Sequence, residues 1–109
     1  RVLKKPIIIA MIETKEGLNS INEILKIKQL DGIFVGPYDL SASLGSIGNF
    51  KSKLFINSIK KITLASKNHK KILGIHVVQN SKKDLKKYIS KGFKFIAYSM
   101  DSVILRSLK

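Results

Sequence analysis

The 109-residue chain has no cysteine and no tryptophan, two prolines, seven glycines and only seven acidic residues. Without cysteine it has no disulfide, thiolate metal site or cysteine nucleophile, a usage that accords with a cytoplasmic protein. The low glycine and proline counts exclude collagen-like and low-complexity chains. No apolar run approaches the roughly 18–20 residues that span a bilayer. The longest, Ile7 to Ile12, has the length of a strand, so no membrane role is expected. The basic start, Arg1 to Lys5, leads into too short an apolar stretch, closed by Glu13, for a signal peptide. Arginine is scarce as well: of 21 basic residues only Arg1 and Arg106 are arginine. The net charge of +14 invites a nucleic-acid reading. Base-edge readers favour the arginine fork, however, and these lysines are scattered without interleaved aromatics. The charge is therefore read as composition and solvated helix faces, and nucleic-acid binding is disfavoured.

What is present is a 44% hydrophobic chain in which short apolar runs alternate with helical periodicity. Pro6 to Ile12 reads as a strand buried on both faces, as parallel sheets require. Glu16 to Ile27 follows with Leu18, Ile21, Ile24 and Leu25 at helical spacing. Gly32 to Gly36 is a second strand, and Pro37 to Asn49 a loop rich in serine and glycine. Lys51 to Lys70 is a helix with a stripe of Leu54, Ile56, Ile59, Ile62 and Ala65, and Ile72 to Val78 a third strand. Ser81 to Lys91 is a helix capped by Ser81, with Asp84 in its first turn and Gly92 suited to the left-handed position beyond it. Phe93 to Tyr98 is a fourth strand, and Asp101 caps a terminal helix. Four βα units imply parallel strands with right-handed crossovers. Two architectures fit: an open doubly wound sheet, or half of a (β/α)8 barrel. The turn after the first strand, Glu13-Thr14-Lys15-Glu16-Gly17, lacks G-x-G-x-x-G, and there is no Walker A motif, so nucleotide binding has no support.

Ligands of α/β proteins gather at the C-terminal ends of the strands. Glu13 stands at the end of the first strand and Asp39 just past the second. Two carboxylates at neighbouring strand ends suit a hard divalent cation such as Mg²⁺ or Mn²⁺. The same spacing also fits a plainer arrangement, with Glu13 capping a helix and Asp39 opening a turn.

The residues themselves are more specific. Met11-Ile12-Glu13-Thr14, Asn19-x-x-x-Glu23-Ile24 and the run Asp31-Gly32-Ile33-Phe34-Val35-Gly36-Pro37-Tyr38-Asp39-Leu40-Ser41-Ala42-Ser43-Leu44-Gly45 resemble the HpcH/HpaI aldolase family. These are class II pyruvate-dependent aldolases of the 2-dehydro-3-deoxyglucarate and 4-hydroxy-2-oxoheptanedioate type. Leu73 to Val78 and Gly92 to Asp101 look like the family's last two strands, so the likeness covers nearly the whole chain. It implies the C-terminal half, strands five to eight, of a (β/α)8 TIM barrel over residues 1–109. It implies cleavage of 4-hydroxy-2-oxo acids to pyruvate and an aldehyde through a pyruvate enolate held by a divalent metal, Mg²⁺, Mn²⁺ or Co²⁺. Glu13 and Asp39 match the metal-binding carboxylates. Gly36, Pro37, Tyr38 and Asp39 match the loop that receives the pyruvate carboxylate, with Gly36 and Pro37 letting the backbone come close. His76, ending the third strand, is a candidate for the substrate pocket. Met11 is read as barrel packing, Tyr38 and Tyr98 as filler or rim residues, and Thr14 and Ser41 as groups that orient the carboxylates.

A full barrel needs roughly 250 residues. The family's first half supplies a substrate-binding arginine and a histidine for proton transfer, and neither has a counterpart here. Arg1 precedes the first strand and does not stand in for that arginine. No catalytic residue is assigned within this chain, which is expected to be inactive alone. A start at Arg1 is read as a hint of truncation, with a split-gene product or a decayed remnant as alternatives. Two open sheet edges and an apolar barrel interior predict association with an N-terminal half-barrel or with a second copy. A catalytically inactive half-barrel that binds metal or a 2-oxo acid is the competing reading.

Overall fold

The computed structural model describes residues 6–77 and 82–98. In chain order the elements are β1 (Ile9–Ile12), α1 (Lys15–Asn19), α2 (Ile21–Leu25), β2 (Gly32–Val35) and α3 (Pro37–Ser43). Then follow α4 (Lys53–Asn68), β3 (Ile72–Val77), α5 (Lys82–Ser90) and β4 (Phe95–Tyr98). The strands form one parallel sheet in the order β1-β2-β3-β4. A doubly wound sheet needs a point where strand order reverses. This sheet has none, and its consecutive order is that of neighbouring strands in a (β/α)8 barrel. The expected terminal helix from Asp101 lies outside the described residues, as do Val78 and Ser81.

Register separates the two faces. Ile33 pairs with Leu73, and Val35 with both Ile12 and Ile75. These residues are buried against Leu18, Ile21 and Leu25 of the first helices, Leu40 of α3, and Ile59 and Ile62 of α4. The alternate rows carry Ile9, Met11, Phe34, Ile72 and Phe95, which lie on the other face. Met11 is 52% exposed and Ile72 44%. The expectation that the first strand is buried on both faces is thus corrected: among the described residues, helices cover only one face, and the apolar face opposite is exposed. Across that open face Phe34 stacks on Phe95, ring centroids 5.4 Å apart, above Gly74. A Cβ at Gly74 would lie 2.6 Å from Phe95 Cε2, so only glycine leaves room for this stack.

Three local readings also change. The single helix expected over Glu16 to Ile27 divides at Ser20 (φ −98°, ψ 14°), whose amide is shared between the carbonyls of Glu16 and Gly17. The loop expected from Pro37 begins as α3: Pro37 occupies the first helical position, where its missing N–H costs nothing. The stripe of α4 is buried as expected at Ile59, Ile62 and Ala65, but Phe55 takes the inward place expected of Leu54, and Ser58 and Ser66 also face inward. Leu54 is one residue, about 100°, off that line and is exposed. Gly92 does adopt positive φ, at +101°, closing α5. Among the described residues, no helix is long and apolar enough to cross a membrane.

Candidate functional site

The ends of β1 and β2 are brought level by one hydrogen bond, from the Gly36 amide to the Ile12 carbonyl at 3.1 Å. Glu13 is the next residue after Ile12, on the same face as Met11. Its side chain lies over Gly36: a Cβ there would sit 3.4 Å from Glu13 Cβ, 3.5 Å from Oε1 and 3.9 Å from Met11 Cε. Gly36 has an ordinary φ of −103°, so the glycine is not required by backbone conformation. Nor is it required by space, since these are ordinary van der Waals contacts.

Asp39 stands in the first turn of α3. Its carboxyl shares a hydrogen bond with that of Glu13, and this contact raises the Glu13 pKa. Burial and the charge of Asp39 push in the same direction. The two carboxylates predicted from sequence therefore meet. A like-charged pair in contact is the arrangement that a divalent cation neutralises. Carboxylate oxygens are the donors that hard cations take, so the pair fits Mg²⁺ or Mn²⁺. Among the described residues no group of three or more histidines, cysteines and acids assembles. The remaining coordination positions would thus fall to water and to a bound ligand, as is usual for Mg²⁺.

Beside this pair lies the start of α3. Its first intrahelical bond runs from the Leu40 amide to the Gly36 carbonyl. The amides of Tyr38 and Asp39 precede it and are left as donors, suited to a carboxylate. The Gly36 amide is engaged with Ile12, so it contributes alignment and not donation. Pro37 is buried at the helix start. Tyr38 is at the rim, half-exposed, with its ring edge-on to Phe50 at 5.1 Å. His76 is on the open face of β3, half-buried, its ring 6.4 Å from that of Phe34.

Two residues expected to orient the carboxylates have other work. The Thr14 hydroxyl accepts from the Gly17 amide at 3.0 Å and caps α1. Ser41 is buried; its hydroxyl donates to the Tyr38 carbonyl and accepts from the Gly48 amide, both at 2.8 Å. It pins the loop after α3 to the helix start. The sequence reading missed Ser43, whose hydroxyl accepts from the Lys15 amide at 2.7 Å and ties the β1–α1 turn to α3. Only the long separation of 28 residues hid it; a serine four positions after a first-turn aspartate offered no signal of its own.

Comparison with known proteins agrees with this geometry. A family model described as HpcH/HpaI aldolase/citrate lyase matches residues 1–107. The 5-keto-4-deoxy-D-glucarate aldolase of Citrobacter koseri is 34% identical over 100 residues, covering 92% of this chain and 38% of that enzyme. A crystal structure of an HpcH/HpaI aldolase from Desulfitobacterium hafniense superposes with a TM-score of 0.80 at 24% identity, over 94% of this chain and 39% of that one. The protein CitE from Mycobacterium tuberculosis, solved with magnesium and pyruvate, superposes with a TM-score of 0.75 at 19% identity, over 92% of this chain and 46% of that one. The chain thus spans roughly two fifths of the length of the curated relatives it matches. With a family model aligned along nearly its whole length, four consecutive parallel strands and paired acids at the ends of β1 and β2, the chain belongs to the HpcH/HpaI aldolase/citrate lyase family.

Proposed function

We propose that this chain is the metal- and 2-oxo-acid-binding part of a divalent-metal-dependent carbon–carbon lyase. Its reaction would be cleavage of a 4-hydroxy-2-oxo acid to pyruvate and an aldehyde. The observation that carries this reading is the contact between the Glu13 and Asp39 carboxyls at the strand ends, beside the free amides that open α3. Kinship supports it: a relative is a 5-keto-4-deoxy-D-glucarate aldolase, and a structural neighbour holds magnesium and pyruvate.

Glu13 and Asp39 would hold Mg²⁺, Mn²⁺ or Co²⁺, which when bound supplies Lewis-acid stabilisation of the negative charge that develops on the keto oxygen during cleavage. The amides of Tyr38 and Asp39 orient the substrate by receiving its carboxylate, with Gly36 and Pro37 shaping the approach. His76 borders the pocket on its β3 side. The proton-transfer group and the aldehyde pocket come from elsewhere in the barrel. The open face of Ile9, Met11, Ile72 and Phe95 is the surface that further βα units, or a second copy, would cover. Residues 1–109 then form the last four units of the barrel.

The test is metal binding followed by turnover. Mn²⁺ titration of this chain should show one site, abolished in Glu13→Ala and in Asp39→Ala. Pyruvate release from a 4-hydroxy-2-oxo acid should require Mn²⁺ and the complementary half-barrel. Metal affinity unchanged by both substitutions would remove the assignment. Metal binding without turnover in the completed barrel would favour the inactive, binding-only reading.

A further inference from the structure

At the opposite, N-terminal end of the strands, on the helix-covered side, lies a cavity of about 480 Å³ between the end of α4, the end of α5 and the start of β3. Lys67, Lys71, Lys91 and Lys94 line it, together with Thr63 and Ser66, and among the described residues no acidic one does. Four lysines contribute to the wall of this one concavity, Lys67, Lys91 and Lys94 of them exposed.

Capping does not explain the convergence. The last carbonyls of both helices are already closed by backbone amides. The Lys71 amide bonds the Ser66 carbonyl at 3.0 Å, with Lys70 in the left-handed region (φ 57°). The Phe93 amide bonds the Tyr88 carbonyl at 3.1 Å across Gly92. Lys71 Nζ spends two of its donors on the carbonyls of Ile27 (3.1 Å) and Leu30 (2.6 Å) and keeps one. Two helix C-termini contribute roughly one unit of negative charge between them. Four lysines exceed that several-fold.

Ser66 is the second, independent observation. Other serines and threonines of these helices turn their hydroxyls back to the preceding turn: Ser58 to Leu54, Thr63 to Lys60, Ser90 to Lys87. Ser66 is 1% exposed, and its Oγ has no hydrogen-bond partner. A buried hydroxyl left unpaired costs about 1–3 kcal/mol. Lys91 is similarly ill at ease, its pKa lowered by burial and then by the charges of Lys87 and Lys60. Excess positive charge, an unpaired hydroxyl and a concave wall without a carboxylate describe an oxyanion's counterpart.

We propose that this cavity binds the doubly charged phosphoryl group of a small phosphorylated metabolite, at a site separate from the carboxylate pair. Lys67, Lys91 and Lys94 serve as point charges, Lys71 gives its remaining donor, and the Ser66 hydroxyl donates to a phosphoryl oxygen. The cavity exceeds the size of orthophosphate, which leaves room for the organic part of such a ligand.

Titration of the chain with inorganic phosphate and then pyrophosphate, at ionic strength fixed with NaCl, tests it by following the amide resonances of Lys67, Lys91 and Gly92. The expected result is saturable one-site binding, weakened about ten-fold or more in Lys67→Ala and Lys94→Ala. Ser66→Ala should weaken it less while leaving phosphate-free thermal stability unchanged or raised, which separates binding from folding. Lys53→Ala, at the far end of α4, should bind as the parent does. Shifts that never saturate, or that follow NaCl alone, would overturn the proposal. So would undiminished binding in both lysine variants, or affinity for a single-stranded oligonucleotide that grows with its length, since that marks a diffuse nucleic-acid surface.

Discussion

Replacing Gly32 with alanine adds one methyl group at the start of β2, where the neighbouring strand is nearest. The new Cβ would fall onto the Ile72 carbonyl oxygen, and would lie 2.9 Å from Ile72 Cβ and 3.0 Å from its carbonyl carbon. Two of these three atoms are backbone of β3, which cannot step aside as a side-chain tip would. Relief requires β2 and β3 to part at the Gly32–Ile72 pair, in the middle of a sheet whose next rungs are Ile33–Leu73 and Phe34–Gly74. Overpacking of this kind costs about 1–3 kcal/mol. Loss of glycine's freedom in the unfolded chain returns about 0.4–1 kcal/mol. A net loss of about 1–2 kcal/mol remains. For a domain of about 100 residues, that lowers the Tm by roughly 4–15 °C. Thermal unfolding followed by far-ultraviolet circular dichroism measures it. Gly36→Ala is the internal comparison: its Cβ meets only ordinary contacts of 3.4 Å or more, so its Tm should stay close to the parent's. A Gly32→Ala protein as stable as the parent would refute the close approach of β2 to β3.

Asp39→Asn should lower the Glu13 pKa toward the ordinary glutamate value, read from the carboxyl carbon shift against pH. Because the folded state holds that proton more tightly than the unfolded chain does, the pair costs stability as pH rises through the raised pKa; the variant should lose this penalty at neutral pH and match the parent in acid. Mg²⁺ in excess should move the same titration downward in the parent and far less in Asp39→Asn. Ile62→Ala, at a fully buried position of α4, should cost about 2–5 kcal/mol in denaturant unfolding with little change in the metal titration. Ser41→Ala should cost about 1–3 kcal/mol by stranding the Gly48 amide, and hydrogen exchange at Gly48 should quicken.

The parallel sheet was legible because its strands are short apolar runs with helical periodicity between them, and that pattern survives in any register. The acid pair was legible because Glu13 and Asp39 stand just beyond two of those runs. What escaped depends on contacts between distant segments. The face left open by Ile9 and Met11 is apolar in sequence, and nothing local distinguishes it from the face that packs on helices. The start of α3 was hidden by its serines, although Gly36-Pro37 followed by Leu40 and Leu44 four apart carries a helix signature. In α4 the stripe was legible at Ile59, Ile62 and Ala65, but Leu54 and Phe55 are equally apolar neighbours, and only tertiary packing selects the phenylalanine for the core. The lysine cavity is assembled from three elements and has no linear trace.

The hydrogen bond from the Lys15 amide to Ser43 ties the turn after Glu13 to the helix that carries Asp39. Glu13 and Asp39 are therefore not independent arms that close on whatever ion arrives; their span is set when the chain folds. A fixed span discriminates by radius. A small ion that keeps its waters in an octahedral shell is accommodated without moving either turn, while a larger one such as Ca²⁺, which asks for more oxygens at longer distances, would have to stretch the strap that Ser43 holds. If Glu13 and Asp39 hold the cation as proposed, ion preference would depend partly on a serine that touches no metal.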